Sequence, residues 1–299
     1  MAIFTAFLEN LRPRQWTKNL ILFAGLIFAQ KFTNPECVWR AFSGFSVFCL
    51  ASGAVYIFND IADVALDRVH PYKRFRPIAS GRLPVKSAAT LATIVLLVCL
   101  VVAWFLGPHF AAVTVAFFLW NGFYTRLLKK AVILDVVGIA FSFVLRAIAS
   151  VAVLLPVAPN TTISKWLLLC TFFLSLFLGF CKRRNEMIQV QVNEGDSTRP
   201  ALTAYSEPLL NVLIGFSFTI TLLVYTLYTI WPRTVEHFHT SNLVLTVPFV
   251  VYGLGRYLFL VYKEGRGGRP HEILLNDMAL QAAISGWIIT IIVIIGLRP

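Results

Sequence analysis

The chain has 299 residues, 58% of them hydrophobic and 13% charged, at a mean hydropathy of +0.75. That balance excludes an ordinary soluble domain and points to an integral membrane protein. The net charge of +12, from 26 Lys and Arg against 14 Asp and Glu, then reports membrane orientation and not a nucleic-acid surface.

Nine apolar runs, near 16–31, 38–58, 86–107, 110–127, 132–154, 163–181, 208–231, 243–262 and 278–297, are each about long enough for a helix to cross some 30 Å of hydrocarbon. Backbone polar groups in lipid must be satisfied internally, and runs this continuously apolar are helices and not alternating barrel strands. The expectation is an all-α, polytopic chain forming a single domain over 1–299. Lys31 and Phe32 follow the first run where a cleaved signal would carry small residues, so the first helix is expected to stay. The five cysteines lie mostly within helices and form no CxxC pair, which suggests neither a zinc site nor a disulfide framework.

The bases fall mostly on one side of these runs. Arg12, Arg14 and Lys18, then Arg68 to Lys86, Arg126 to Lys130, Lys182 to Arg199 and Lys263 to Arg269 alternate with Lys31, Arg40, Lys165, Arg233 and Arg298. The positive-inside rule gives an N-in, C-out orientation in the cell (plasma) membrane. Two charged segments, 59–85 and 182–207, then face the cytoplasm together.

The first reads NDIADVALDRVHPYKRFRPIASGR from Asn59 to Arg82. If the preceding helix runs on past Phe58, Asn59, Asp63 and Asp67 lie one turn apart on one face, with Asp60 off it. Aligned carboxylates disfavour a helix by a few tenths of a kcal/mol per pair, and a hard divalent cation shared with substrate phosphates is the natural compensation. Lys73, Arg74, Arg76 and Arg82 supply donors for other phosphate oxygens. Against this stands the plain alternative that juxtamembrane charges only set topology.

NDIADVALD followed by KRFRPIASG resembles the first signature of the UbiA superfamily of intramembrane prenyltransferases. The resemblance implies nine transmembrane helices around a central cavity, and Mg²⁺ bound with a substrate diphosphate by the acidic motif, here Asn59, Asp63 and Asp67, with Asp60 behind them. Most members carry a second acidic DxxxD motif after the sixth helix; here the residues are Cys181, Lys182, Arg183, Arg184, Asn185 and Glu186. That departure, with RPRQWTKNLILFAGLIFA at 12–29, LLKKAVILDVVGIAFSFVLRAIA at 127–149, RPALTAYS at 199–206 and GGRPHEILLNDMAL at 267–280, is similar to the decaprenyl-phosphate phosphoribosyltransferase branch.

The branch implies phosphoribosyl pyrophosphate as donor and a polyprenyl phosphate as acceptor. Lys182, Arg183, Arg184 and Lys18 are then candidates for substrate phosphates, and Glu186 for a metal or ribose contact. Tyr124 and Lys130 flank the turn after the fourth run and border the site, with interfacial anchoring as the competing reading. Asp135 and Arg146 lie in or near an apolar segment, where charges face a polar cavity or a partner. Arg146 lies about three turns deeper than Asp135 and has two readings open, a structural pairing or a hold on an anionic lipid head. Tyr205 and Asp277 enter only through the segments that resemble the branch. Glycines 265, 267 and 268 form a turn without P-loop spacing.

Two other functions compete. An aromatic prenyltransferase, moving a polyprenyl group from its diphosphate to 4-hydroxybenzoate or a similar ring, shares the first motif but calls for a second DxxxD. A transporter or scaffold would use the charges for topology alone, yet they cluster at one face and no inverted repeat is apparent. An oligomer is compatible with each reading.

Overall fold

The computed structural model describes residues 2–192, 200–265, 267–268 and 270–296. Arg199, Arg266, Arg269 and Arg298, named above for their charge, lie outside the described residues. Among those described, the elements are helices and turns: α1 Ala2–Asn10, α2 Ala24–Phe28, α3 Pro35–Ala62, α4 Val64–Val69, α5 Val85–Leu106, α6 Pro108–Arg126, α7 Leu134–Ala152, α8 Lys165–Val192, α9 Pro200–Thr203, α10 Glu207–Ile230, α11 Pro232–Phe238, α12 Val247–Lys263, α13 Pro270–Asn276 and α14 Met278–Gly296. Among the described residues, seven helical segments are long and apolar enough to cross a membrane, which makes the chain a multi-pass membrane protein.

Local chemistry sets the boundaries. Asn34 caps α3 by accepting the amides of Glu36 and Cys37 at 3.0 and 3.2 Å, with Pro35 in the first turn. Ser206 caps α10 through the Leu209 amide, and Asp277 caps α14 through the Leu280 amide at 2.8 Å. Gly107, at φ +140°, breaks the chain between α5 and α6 just before Pro108.

The chain divides into two compact units. The first comprises 1–129 with 145–163, and the second 130–144 with 164–299. In the first, α3 packs against α5 and α6 around Phe48, Phe110 and Phe117. In the second, α8 packs against α10, and Phe177, Tyr257, Leu210 and Ile214 form its core. All five cysteines are unpaired, four of them buried, as small core residues.

Two expected segments take a different form. The first run begins as an 11-residue 3-10 helix, Pro13–Phe23, before the short α2. Such a length is unusual for that geometry. It stacks residues three apart, so the Lys18 ammonium donates to the Gln15 side chain at 2.8 Å, and it sends Asn19 fully inward toward Cys49 and Ser52. The sixth run also ends later than expected. The 182–192 stretch, which lies beyond the 163–181 run, continues α8, because Glu186 pairs with Lys182 at i,i+4 and with Arg183 at i,i+3, contacts that stabilise a helix surface.

Gly25 shows how closely the first unit is packed. A Cβ built there would lie 2.2 Å from the Ser150 carbonyl oxygen, whereas one on Gly122, in α6, would meet nothing within 4 Å. Gly25→Ala is therefore expected to destabilise the protein by about 1–3 kcal/mol through overpacking. Gly122→Ala, which exchanges a flexible residue for a good helix former, is expected to hold or raise stability. Melting of both variants in the same detergent distinguishes them.

Candidate functional site

The first unit carries the acidic motif. Helix α3 ends at Asp63, whose φ −95° and ψ 4° kink the chain before α4. The i to i−4 ladder nevertheless continues across the kink: the Asp63 amide donates to Asn59 and the Asp67 amide to Asp63, at 2.9 and 2.8 Å. Asn59, Asp63 and Asp67 thus keep the one-turn spacing that the sequence suggests.

Each has a partner. Asn59 Oδ1 accepts from the Thr125 hydroxyl at 2.6 Å, Asp63 Oδ2 pairs with the Lys129 ammonium, and Asp67 Oδ2 pairs with Arg76 at 2.7 Å. Asp60, on the adjoining face, is the most heavily paired of the four. Arg12 meets both of its oxygens, at 2.6 and 2.7 Å, and Arg76 reaches Oδ1 at 3.1 Å. Arg76 therefore bridges Asp60 and Asp67. Both of these carboxylates are buried, which makes charged partners a necessity.

The remaining bases of the first segment disperse. Arg82 turns to Glu9 in a two-pronged, exposed pair at 2.8 and 3.0 Å, worth little in water. Arg74 is exposed and lies 4.9 Å over the Phe75 ring. Lys73 is half-buried, and its amide donates to His70 Nδ1 at 3.3 Å. Burial, and then the Lys73 charge, lower the His70 pKa, in keeping with a neutral ring whose Nδ1 accepts. Lys18 lies 5.6 Å from the Tyr56 ring centre, and Arg12 lies 5.1 Å from it on α3. Tyr124 is half-buried beside Thr125 on α6, and Lys130 is exposed. Buried Arg146 donates to Asn19 at 2.8 Å and to Ser52 at 3.3 Å, and lies 4.6 Å over the Phe117 ring.

The second unit carries the basic segment. Arg183, expected to face substrate phosphate, is 1% exposed and pairs through Nε with Asp135, 0% exposed, at 2.5 Å and through Nη1 with Glu186 at 2.5 Å. Tyr205 donates to the other Asp135 oxygen at 2.7 Å and accepts the Ile133 amide at 2.7 Å. Ile133 is β-branched and sits at φ +66°, an uncommon conformation that this bond helps to hold. Burial, and then the hydrogen bond to Asp135, push the Tyr205 pKa well above that of an ordinary phenol, so it remains a donor. Arg184 pairs with Glu207 at 2.6 Å, donates to Asn211 at 2.9 Å and lies 4.1 Å over the Tyr262 ring. Lys182, 3.7 Å from Glu186, is half-buried at 37%. Asp277 pairs with Arg256 at 2.8 Å as well as capping α14.

Sequence reasoning missed Arg12, Thr125 and Lys129. Thr125 and Lys129 stand four residues apart in the turn that supplied Tyr124 and Lys130, so the segment was legible and the choice within it was not.

The donor set suits a hard cation that shares its shell with a substrate. Among the described residues no three His, Cys, Asp or Glu side chains form a metal cage by themselves. One amide oxygen and two carboxylates on a helix face, however, make the kind of incomplete set that Mg²⁺ fills with phosphate oxygens and water.

Residues 19–271 match the UbiA prenyltransferase family. The decaprenyl-phosphate phosphoribosyltransferase of Mycolicibacterium smegmatis is 32% identical over 300 residues, covering 97% of this chain and 92% of the relative. That of Mycobacterium tuberculosis is 34% identical over 288 residues, covering 95% and 92%. The structure of a UbiA homolog from Archaeoglobus fulgidus bound to GPP and Mg²⁺ superposes with a TM-score of 0.71 at 17% identity, covering 98% of this chain and 100% of that one. The chain belongs to the UbiA prenyltransferase family.

Proposed function

We propose that the chain, acting as one UbiA-like domain over 1–299, transfers the 5-phosphoribosyl group of phosphoribosyl pyrophosphate to a polyprenyl phosphate and releases pyrophosphate. The observation that carries this reading is the face formed by Asn59, Asp63 and Asp67, with Lys129 and Arg76 paired across it. The relatives named for this reaction support it, since they match nearly the whole chain. Proposed orientation follows the loop charges, with the site on the cytoplasmic side of the plasma membrane.

Asn59, Asp63 and Asp67 would hold Mg²⁺, which supplies neutralisation of the departing pyrophosphate when bound. Lys129 and Arg76 release their carboxylates and turn onto phosphate oxygens, so the positive charge is already in place when the anion arrives. The bond between ribose C1 and the pyrophosphate oxygen breaks as an oxygen of the lipid phosphate bonds to the opposite face of C1, inverting it. That phosphate is already ionised at neutral pH, so no protein base is needed, and the residues act by positioning and electrostatics. Lys182 is the base of the second segment best suited to a substrate phosphate, because Arg183 is committed to buried Asp135 and Glu186.

The aromatic prenyltransferase reading keeps one supporting observation, the prenyl diphosphate bound by the Archaeoglobus fulgidus homolog. The KRRNE stretch opposes it, because its one acid, Glu186, is already paired with Arg183 and Lys182.

Purified protein is expected to label decaprenyl phosphate from labelled phosphoribosyl pyrophosphate, to stop on chelation of divalent metal, and to lose at least about a hundredfold in kcat/KM in Asp63→Ala. Product from polyprenyl diphosphate and 4-hydroxybenzoate alone would replace this reading with the second. Arg183→Ala is expected to cost about 3–5 kcal/mol of stability, because Asp135 is left buried without its ion-pair partner. Lys182→Ala is expected to keep its melting temperature and raise a substrate KM. A melting curve and a KM pair measured on each variant separate the two roles.

A further inference from the structure

The acidic cluster of the first unit contains one base that no substrate role explains. Arg12 is the only described residue that meets both oxygens of Asp60. Its own backbone is left-handed, φ 53° and ψ 61°, a conformation that suits glycine and is uncommon for a long side chain. The turn itself is ordinary: the Arg12 amide donates to Glu9 at 3.1 Å and its carbonyl accepts from Gln15 at 2.8 Å, bonds that glycine would also make. An arginine at such a position raises the question of what its side chain supplies.

What the side chain does follows from the distances. Asp60 is 4% exposed, so its charge must be answered from inside. Arg12 answers it with two short contacts while stacking over Tyr56, so Arg76 touches Asp60 only at 3.1 Å and keeps its shorter contact, 2.7 Å, for Asp67. Without Arg12, the buried Asp60 would draw on Arg76, the other guanidinium that pairs with it among the described residues. Arg76 would then have to answer two buried carboxylates by itself and could not turn to a phosphate.

We infer that Arg12 is a positioning residue, which satisfies Asp60 so that Arg76 stays shared with Asp67 and available to the pyrophosphate of the donor. The inference rests on the proposed reading for the identity of that donor. It assigns Asp60 a task apart from the metal-facing set: it holds two arginines in register.

The test compares wild type with Arg12→Ala, Arg12→Gly, Asp60→Asn and the double variant Arg12→Ala/Asp60→Asn, in nanodiscs. KM is measured for phosphoribosyl pyrophosphate and for decaprenyl phosphate, together with the rise in melting temperature produced by Mg²⁺ and inorganic pyrophosphate. Arg12→Ala and Arg12→Gly are both expected to raise the donor KM at least about tenfold, the scale of a lost charged hydrogen bond, and to shrink the pyrophosphate shift. The acceptor KM stays as in wild type. The double variant recovers most of both, because the neutral amide that Asp60→Asn introduces no longer captures Arg76.

Wild-type behaviour of Arg12→Gly would reduce Arg12 to a turn residue and overturn the inference, as would a double variant no better than Arg12→Ala. If Arg12→Ala does not fold, Arg12→Gln, which keeps a long polar side chain but removes the charge that a single guanidinium nitrogen brings to both Asp60 oxygens, is read in its place. A wild type without transferase product sinks the proposed function, while the pyrophosphate shift still reports on Arg12.

Discussion

Carboxylates placed one turn apart on a helix at the edge of a membrane are tolerable only if each is neutralised at close range. Asp60, Asp63 and Asp67 meet that constraint with Arg12, Lys129 and Arg76, drawn from three separate stretches of chain. The kink at Asp63, the left-handed turn at Arg12 and the position of the turn after α6 all serve these pairings. The same pairings hold the cluster near electrical balance until a more highly charged ligand competes for its members.

The second unit meets the same constraint deeper in the protein. Asp135 has no exposure, and its two oxygens are taken by Arg183 and Tyr205. Removing either charge of such a pair is costly, whereas the pair itself contributes less to stability than to fixing one arrangement. What it fixes here is concrete: Tyr205 also accepts the amide of the left-handed Ile133, and Arg183 also holds Glu186 on its own helix. A segment that reads as a basic patch is therefore divided, with Arg183 buried, Arg184 tied to Glu207 and Asn211, and Lys182 at the rim.

The helical class, most of the span limits and the one-turn spacing of Asn59, Asp63 and Asp67 were legible in the sequence because they depend on local pattern: apolar run length and a four-residue repeat. Pairing across the fold was not. Nothing in LLKK distinguishes Lys129, which reaches Asp63, from Lys130, which is exposed, because the choice is made where the three-residue 3-10 turn Leu128–Lys130 follows α6. Nor does KRRNE announce which arginine is internal. Only the phase of α8, prolonged by its own i,i+3 and i,i+4 ion pairs, turns Arg183 inward. Arg12 was readable as a topology charge and no more, since its partner lies 48 residues away.

The 3-10 segment has a consequence for reach. At about 2.0 Å per residue its 11 residues extend about 22 Å, and the five residues of α2 add about 7.5 Å at 1.5 Å each. Laid end to end, 16 residues from Pro13 to Phe28 measure about 30 Å, the thickness of a hydrocarbon core that an α-helix needs about 20 residues to match. Stretching the backbone thus substitutes for length in residues. A segment of 16 residues thus has the reach of a longer α-helix, and it turns buried Asn19 to Ser52 and Arg146.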